Sequence, residues 1–144
     1  MKSHIKPDER NRKLHTTITV PFEFYASHSL SMREKTHNHF WTLKLFVRGT
    51  PKNGMVIDIL KLRGITDPYV EKLANTYLNE NLALTEEQAA CPTCEMLAVY
   101  FYTNVSKELE AFDVTLKAVE VELRELEGKE WGAARLEADC SHLT

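Results

Sequence analysis

Three histidines make the one pattern in this chain that could do chemistry by itself. His37 and His39 flank Asn38 in the segment Arg33-Glu34-Lys35-Thr36-His37-Asn38-His39-Phe40-Trp41, and His28 closes the stretch Phe24-Tyr25-Ala26-Ser27-His28 a short loop upstream. On a β-strand, side chains two apart point to the same face, so His37 and His39 can reach one point. A third imidazole brought in from the end of a neighbouring strand completes a three-nitrogen site. Catalytic zinc is held this way, by three protein ligands with one position open to water or substrate. A lone His-x-His pair reads more simply as a wet strand face. The third histidine turns the reading toward Zn2+ held by His28, His37 and His39.

The elements that must position these imidazoles follow from the hydrophobic pattern. From Thr16 the chain alternates, with Ile18, Val20, Phe22 and Phe24 sharing one parity, and His28 falls just beyond the end of this strand. A second alternating run puts His37, His39, Trp41, Leu43, Leu45 and Val47 on one face and ends in the turn-forming Arg48-Gly49-Thr50-Pro51-Lys52-Asn53-Gly54. Pairing the two runs as a hairpin gathers the histidines at one end. Ile59, Leu62, Ile65 and Val70 predict a helix from Asp58 to about Lys72, broken near Pro68. A clearer helix starts at Pro92, with Thr93 as its cap and Ala98, Phe101, Val105, Leu109 and Phe112 as its buried stripe. Two strands follow, Val114 to about Leu126 and Trp131 to Ala138. The order β-β-α-α-β-β predicts an α+β layer, with two helices on one face of an antiparallel four-stranded sheet.

Bulk properties set the frame. The 144 residues suit one domain with a real core. Residues 1–14, rich in charge, read as a flexible arm ahead of a domain spanning 15–144. A formal net charge of -3 without long single-sign runs argues against nucleic acid as partner. No apolar stretch approaches the ~18 residues of a membrane span. The polar N-terminus has no apolar signal core, so a cytoplasmic location is expected. Three cysteines, Cys91, Cys94 and Cys140, fit a reducing compartment better than a disulfide framework.

Five short elements, in order, resemble the 6-pyruvoyl-tetrahydropterin synthase family and its relative, 6-carboxy-tetrahydropterin synthase of the queuosine pathway. Phe24-Tyr25-Ala26-Ser27-His28 matches Phe-x-Ala-x-His, and His37-Asn38-His39 matches His-Gly-His. Gly54-Met55-Val56-Ile57-Asp58-Ile59-Leu60-Lys61 is similar to Gly-Met-Val-x-Asp-Phe followed by Leu-Lys. Leu73-Ala74-Asn75-Thr76-Tyr77-Leu78-Asn79 stands at Leu-Asp-His-x-x-Leu-Asn, and Pro92 to Ala98 matches Pro-Thr-x-Glu-x-Leu-Ala. The resemblance covers about residues 16–138. It implies the tunnelling fold, whose sheets join into a barrel in a homotrimer or hexamer. It also implies zinc at His28, His37 and His39, and a reduced pterin such as dihydroneopterin triphosphate as substrate. The metal would polarise side-chain oxygens so that a base can move protons. Tetrahydrobiopterin, queuosine and folate biosynthesis are the pathways it brings into view.

The departures bear on the chemistry. Arg33 stands where most members carry a cysteine base, four residues before the first histidine of the pair. Glu34, three residues before His37, is similar to a subgroup in which glutamate replaces that cysteine. That subgroup is associated with cleavage of dihydroneopterin triphosphate to 6-hydroxymethyl-dihydropterin. Glu34 is thus the candidate base, the alternative being an exposed loop residue between Arg33 and Lys35. Ala74-Asn75 replaces the family's Asp-His relay, and neither residue titrates. The glutamate that grips the pterin ring corresponds to Leu123 without a gap and to Glu125 after a two-residue slide, which preserves the strand face. Thr93 is a second candidate substrate contact, although capping alone explains it. Cys91-Pro92-Thr93-Cys94 could host redox or metal chemistry at a helix start, but it falls inside the Pro-Thr-x-Glu element and lacks nearby further ligands. Two functions follow: a zinc-dependent carbon–oxygen or carbon–carbon lyase of the pterin synthase type, or an altered member that binds zinc and a pterin or purine-like ligand without that activity.

Overall fold

A computed structural model describes residues 14–30, 35–125 and 130–139 of the chain. Alternating apolar residues drive the first two strands, β1 (Thr16–His28) and β2 (His37–Gly49), which pair antiparallel with Thr16 opposite Gly49 and His28 opposite His37. Strands β3 (Thr115–Arg124) and β4 (Glu130–Glu137) complete a sheet of order β1-β2-β3-β4, antiparallel throughout. The expected α+β architecture is therefore observed. Residues 1–13 of the expected arm, and with them most of that segment, lie outside the described residues.

Helices α1 (Ile59–Glu71), α2 (Glu86–Ala90) and α3 (Cys94–Leu109) pack on the face that β1 and β2 make apolar. Their starts are set by side-chain caps. Asp58 accepts from the Leu60 N–H, Thr93 accepts from the Met96 N–H, and Thr85 and Gln88 form a reciprocal capping box. Helix α1 runs through Pro68 without the expected break. The carbonyl that Pro68 leaves without a helical donor belongs to Gly64, on the exposed side of the helix, where water can satisfy it. Helix α3 begins at Cys94 rather than Pro92, because the Thr93 side chain caps the helix from outside it. The polar stretch between α1 and α3 is more ordered than its composition suggests, holding a 3-10 turn (Leu78–Glu80) as well as α2.

Trp41, Leu43, Leu45, Val47, Val119 and Val121 form the floor of the core, and Leu97, Phe101, Val105 and Leu109 of α3 close it. Burial of each large side chain contributes roughly 1.5–3 kcal/mol. Phe24 stacks on Trp41 with ring centroids 6.1 Å apart and meets Phe101 of α3 edge-on at the same separation. The Trp41 indole N–H donates to the Ala26 carbonyl at 3.1 Å. This aromatic group ends directly beneath the histidines, with the Trp41 ring 5.1 Å from that of His28. No helix among the described residues is long and apolar enough to cross a membrane.

Candidate functional site

The hairpin register assembles the histidines. His28 lies opposite His37, and Ala26 opposite His39, so all three imidazoles stand at one end of the sheet on its helical face. The ring centroids of His28 and His39 are 5.0 Å apart, and those of His37 and His39 are 5.9 Å apart. Two imidazoles bound to one tetrahedral zinc, with Zn–N of ~2.1 Å, have centroids about 5 Å apart. Among the described residues no three His, Cys, Asp or Glu side chains have closed up as a formed metal cluster. The imidazoles stand at ligand spacing without having converged on a point.

Their hydrogen bonds fix the Nδ1 side of two of the rings. His28 is 3% exposed and its Nδ1 lies 2.7 Å from the Pro92 carbonyl oxygen. His39 is 4% exposed and its Nδ1 lies 3.3 Å from the Arg124 carbonyl oxygen. A carbonyl only accepts, so each Nδ1 carries a proton, and in the neutral imidazole the lone pair then sits on Nε2. His39 Nε2 is buried and has no hydrogen-bond partner, alone in this respect among the buried side-chain nitrogens and oxygens of the described residues. Such an orphan costs about 1–3 kcal/mol unless something is bound to it. Burial pushes the His39 imidazole below its ordinary pKa and nearby His28 adds to this, while the Arg124 carbonyl and the Glu125 carboxylate pull the other way. A neutral imidazole that donates its far N–H to a backbone carbonyl and keeps its Nε2 lone pair is what a divalent zinc requires. The residues present fit that metal.

A second layer holds His28. Ser29, the next residue, is gripped from both sides by the Asn79 side chain: its N–H donates to Asn79 Oδ1 at 2.9 Å, and Asn79 Nδ2 donates to its carbonyl at 2.8 Å. Ser29 Oγ lies 2.7 Å from the Tyr77 hydroxyl. The Asn75 N–H donates to the Tyr25 carbonyl, and the Ser27 N–H donates to the Thr76 carbonyl, so residues 75–77 run along the outer edge of β1. Asn75 itself has φ of 60°, is exposed and works through its backbone. The left-handed conformation, which asparagine tolerates better than most residues, accounts for it at that position.

The other residues singled out from sequence fall as follows. Glu34 lies outside the described residues, as do Cys140 and His142. Glu125 is half-buried beside the histidines, accepts the indole N–H of Trp131, and is close enough to influence His39. Thr93 caps α3 one residue beyond Pro92, the acceptor for His28, so the Pro-Thr element serves helix and imidazole together. Cys91 and Cys94 are free thiols. Burial, then Glu95 and Glu122, push the Cys94 thiol up to about 11, far from the reactive range. Sequence reasoning missed the two carbonyl acceptors, which no side-chain pattern encodes, and Asn79, although Leu78-Asn79 was part of a matched element. It also missed Trp131, whose ring lies 5.2 Å from that of His39.

Fold and site together define an α+β domain that presents three clustered imidazoles at the end of a four-stranded antiparallel sheet. The profile of the 6-pyruvoyl tetrahydropterin synthase family matches residues 17–133, and the chain belongs to that family. A Pyrococcus furiosus protein named dihydroneopterin monophosphate aldolase is 32% identical over 111 residues, covering 76% of this chain and 87% of its own. The solved 6-pyruvoyl tetrahydropterin synthase of Caenorhabditis elegans superposes with a TM-score of 0.68 at 19% identity, covering 89% of this chain and 99% of that one. The Plasmodium falciparum 6-pyruvoyl tetrahydropterin synthase superposes with a TM-score of 0.58 at 16% identity, covering 86% and 99%. These likenesses carry the fold, the tunnelling fold of that family.

Proposed function

We propose that the chain is a zinc-dependent carbon–carbon lyase that cleaves the side chain of a phosphorylated dihydroneopterin. The observation that carries this reading is the orphaned Nε2 of buried His39, beside a buried imidazole that likewise meets a backbone carbonyl through Nδ1 and stands at metal-ligand spacing. His28, His37 and His39 would hold the zinc, which when bound supplies a Lewis acid that polarises side-chain oxygens. Glu125, at the rim beside His39, would grip the donor edge of the pterin ring. The Thr93 hydroxyl accepts the Met96 N–H and keeps its own proton to donate to the ligand. Glu34, three residues before His37, would be the base.

The missing relay favours cleavage over phosphate elimination. In cleavage, Glu34 removes the proton of a side-chain hydroxyl and the adjacent carbon–carbon bond breaks. The electron pair passes into the ring's C=N system, and the former side-chain carbon then takes a proton back. One proton leaves an oxygen and one returns to a carbon, so a single carboxylate can serve both transfers. Elimination with rearrangement moves several carbon-bound hydrogens, and Ala74-Asn75 offers no second titrating group for it. The name of the Pyrococcus relative agrees with this choice. The edge strands, β4 and the part of β1 ahead of the stretch that residues 75–77 cover, suit assembly into a homo-oligomeric barrel, trimer or hexamer, and the expected compartment is the cytoplasm.

A second reading has its own observation: Asn75 is exposed and occupied only through its backbone, as in a member that binds zinc and a pterin without turnover. The deciding experiment incubates the zinc-loaded chain with the mono- and triphosphates of dihydroneopterin and follows products by liquid chromatography and mass spectrometry. Release of 6-hydroxymethyl-dihydropterin, lost in Glu34→Gln with zinc content unchanged, is expected. Product formation by Glu34→Gln at the wild-type rate removes Glu34 as base. Tight binding without product from the wild-type chain establishes the second reading.

A further inference from the structure

Trp131 is the most exposed aromatic side chain near the site, at 58%, and nothing assigned above uses it. Its position comes from an irregularity in the β3–β4 ladder. Leu123 pairs with Gly132 and Arg124 with Glu130, which leaves Trp131 as an extra residue without a partner on β3. In an unbroken ladder the neighbour of Gly132 would point to the face opposite Leu123. A bulge re-aims such a side chain. Here it turns the indole onto the helical face, with the ring 5.2 Å from His39 and inclined to it by 52°. The indole N–H donates to the Glu125 carboxylate. The space beside it is open, since a Cβ added at Gly132 would meet nothing within 4 Å.

A large apolar ring held at the edge of a buried polar cluster, with a carboxylate fixed to its N–H and a glycine leaving room alongside, is a surface for a flat polar heterocycle. We propose that Trp131 is the specificity wall of this site: it stacks on the planar ring of the ligand and orients Glu125 toward the ring's N–H donors. The ligand class is a fused bicyclic heterocycle with an amidine-like donor edge, secured by stacking plus one carboxylate. Trp131 acts in recognition and not in proton transfer. The inference rests on the reading that a pterin binds beside these histidines, and it adds which side chain selects for it.

The test is calorimetric titration of the zinc-loaded full chain with neopterin, the oxidised and stable form, for wild type, Trp131→Ala and Trp131→Phe. Stacking of a heterocycle on one aromatic side chain corresponds to a loss of roughly 10- to 100-fold in affinity on truncation to alanine. Trp131→Ala is therefore expected to weaken neopterin binding by that factor with zinc content and oligomeric state unchanged. Trp131→Phe, which keeps a ring but loses the N–H, should recover most of the affinity. In turnover the alanine variant should raise KM and leave kcat near wild type. Undiminished neopterin affinity in Trp131→Ala overturns the inference. So does loss of zinc or of the assembly together with the ligand, because Trp131 would then only pack against His39 or a second subunit. Failure of the zinc-loaded wild type to bind neopterin overturns the pterin reading itself, which separates the two.

Discussion

The two ends of the β1–β2 hairpin are built from similar residues and do opposite things. At one end His28 and His39 are buried, their Nδ1 protons held by backbone carbonyls, and Asn79 clamps the next residue. At the other end His15 is exposed, just before Thr16 and close to Arg48 at the end of β2. There the turn is a tight Asn53-Gly54 pair in left-handed conformation, and Lys52 and Asp113 form an ion pair whose side chains are 70% and 86% exposed. Exposed pairs of that kind contribute little. What separates a metal-ready imidazole from a solvated one is therefore not the residue type. It is desolvation together with a fixed acceptor on the far nitrogen, which fixes the lone pair where water cannot reach it.

The largest expected effect tests that contrast directly. His39→Ala should weaken zinc binding by more than roughly 100-fold, since each ligand carries a substantial share of the binding free energy, whereas His15→Ala should leave it unchanged. Competition against a chromophoric chelator reads both, and equal effects at the two positions would dissolve the comparison. A smaller effect sharpens it. Asn79→Ala leaves all three imidazoles in place but frees Ser29, and loss of an outer support of this sort costs about 10- to 100-fold in metal affinity. Unchanged zinc affinity in a folded Asn79→Ala would show that the strand end alone positions His28.

The smallest effect concerns the start of α3, beside the Pro92 that holds His28. With its thiol pushed up to about 11 by burial, Cys94 should resist alkylation by iodoacetamide at pH 8 in the native protein and react after denaturation. The group is neutral when protonated, and its folded pKa lies above the unfolded one. Its contribution to stability is therefore complete below the ordinary thiol pKa and disappears as pH rises through about 11. Tyr100, pushed up to about 12 by burial, then by Tyr69, acts in the same direction at higher pH. Denaturant midpoints that stay level from pH 9 to 11, or rapid native alkylation at Cys94, would contradict this.

Much of the architecture was legible because the periods are clean. Val20, Phe22 and Phe24 alternate, as do Trp41, Leu43, Leu45 and Val47, and each run is buried on one face. Ala98, Phe101, Val105 and Leu109 keep helical spacing and line α3. The Pro68 break failed as an expectation because the cost of a helical proline depends on whether the orphaned carbonyl faces water, which spacing does not report. The 3-10 turn and α2 were hidden in a polar stretch whose order comes from caps and from Asn79 and Asn81 rather than from an apolar stripe.

The residue pattern alone determined that His37 and His39 share a strand face and that a third histidine ends the preceding strand. Side-chain alternation is a local property of extended backbone, and antiparallel pairing follows from the short connection. Tertiary structure decided everything that depends on distant chain. The Pro92 and Arg124 carbonyls, 64 and 85 residues from the imidazoles they hold, determine the tautomers. Asn79 reaches Ser29 across 50 residues, and a bulge in β4 turns Trp131 toward His39. Backbone acceptors have no signature in the side-chain sequence, and a bulge shifts a face without changing a residue. The imidazoles could be found by reading; the carbonyls that hold them had to be folded.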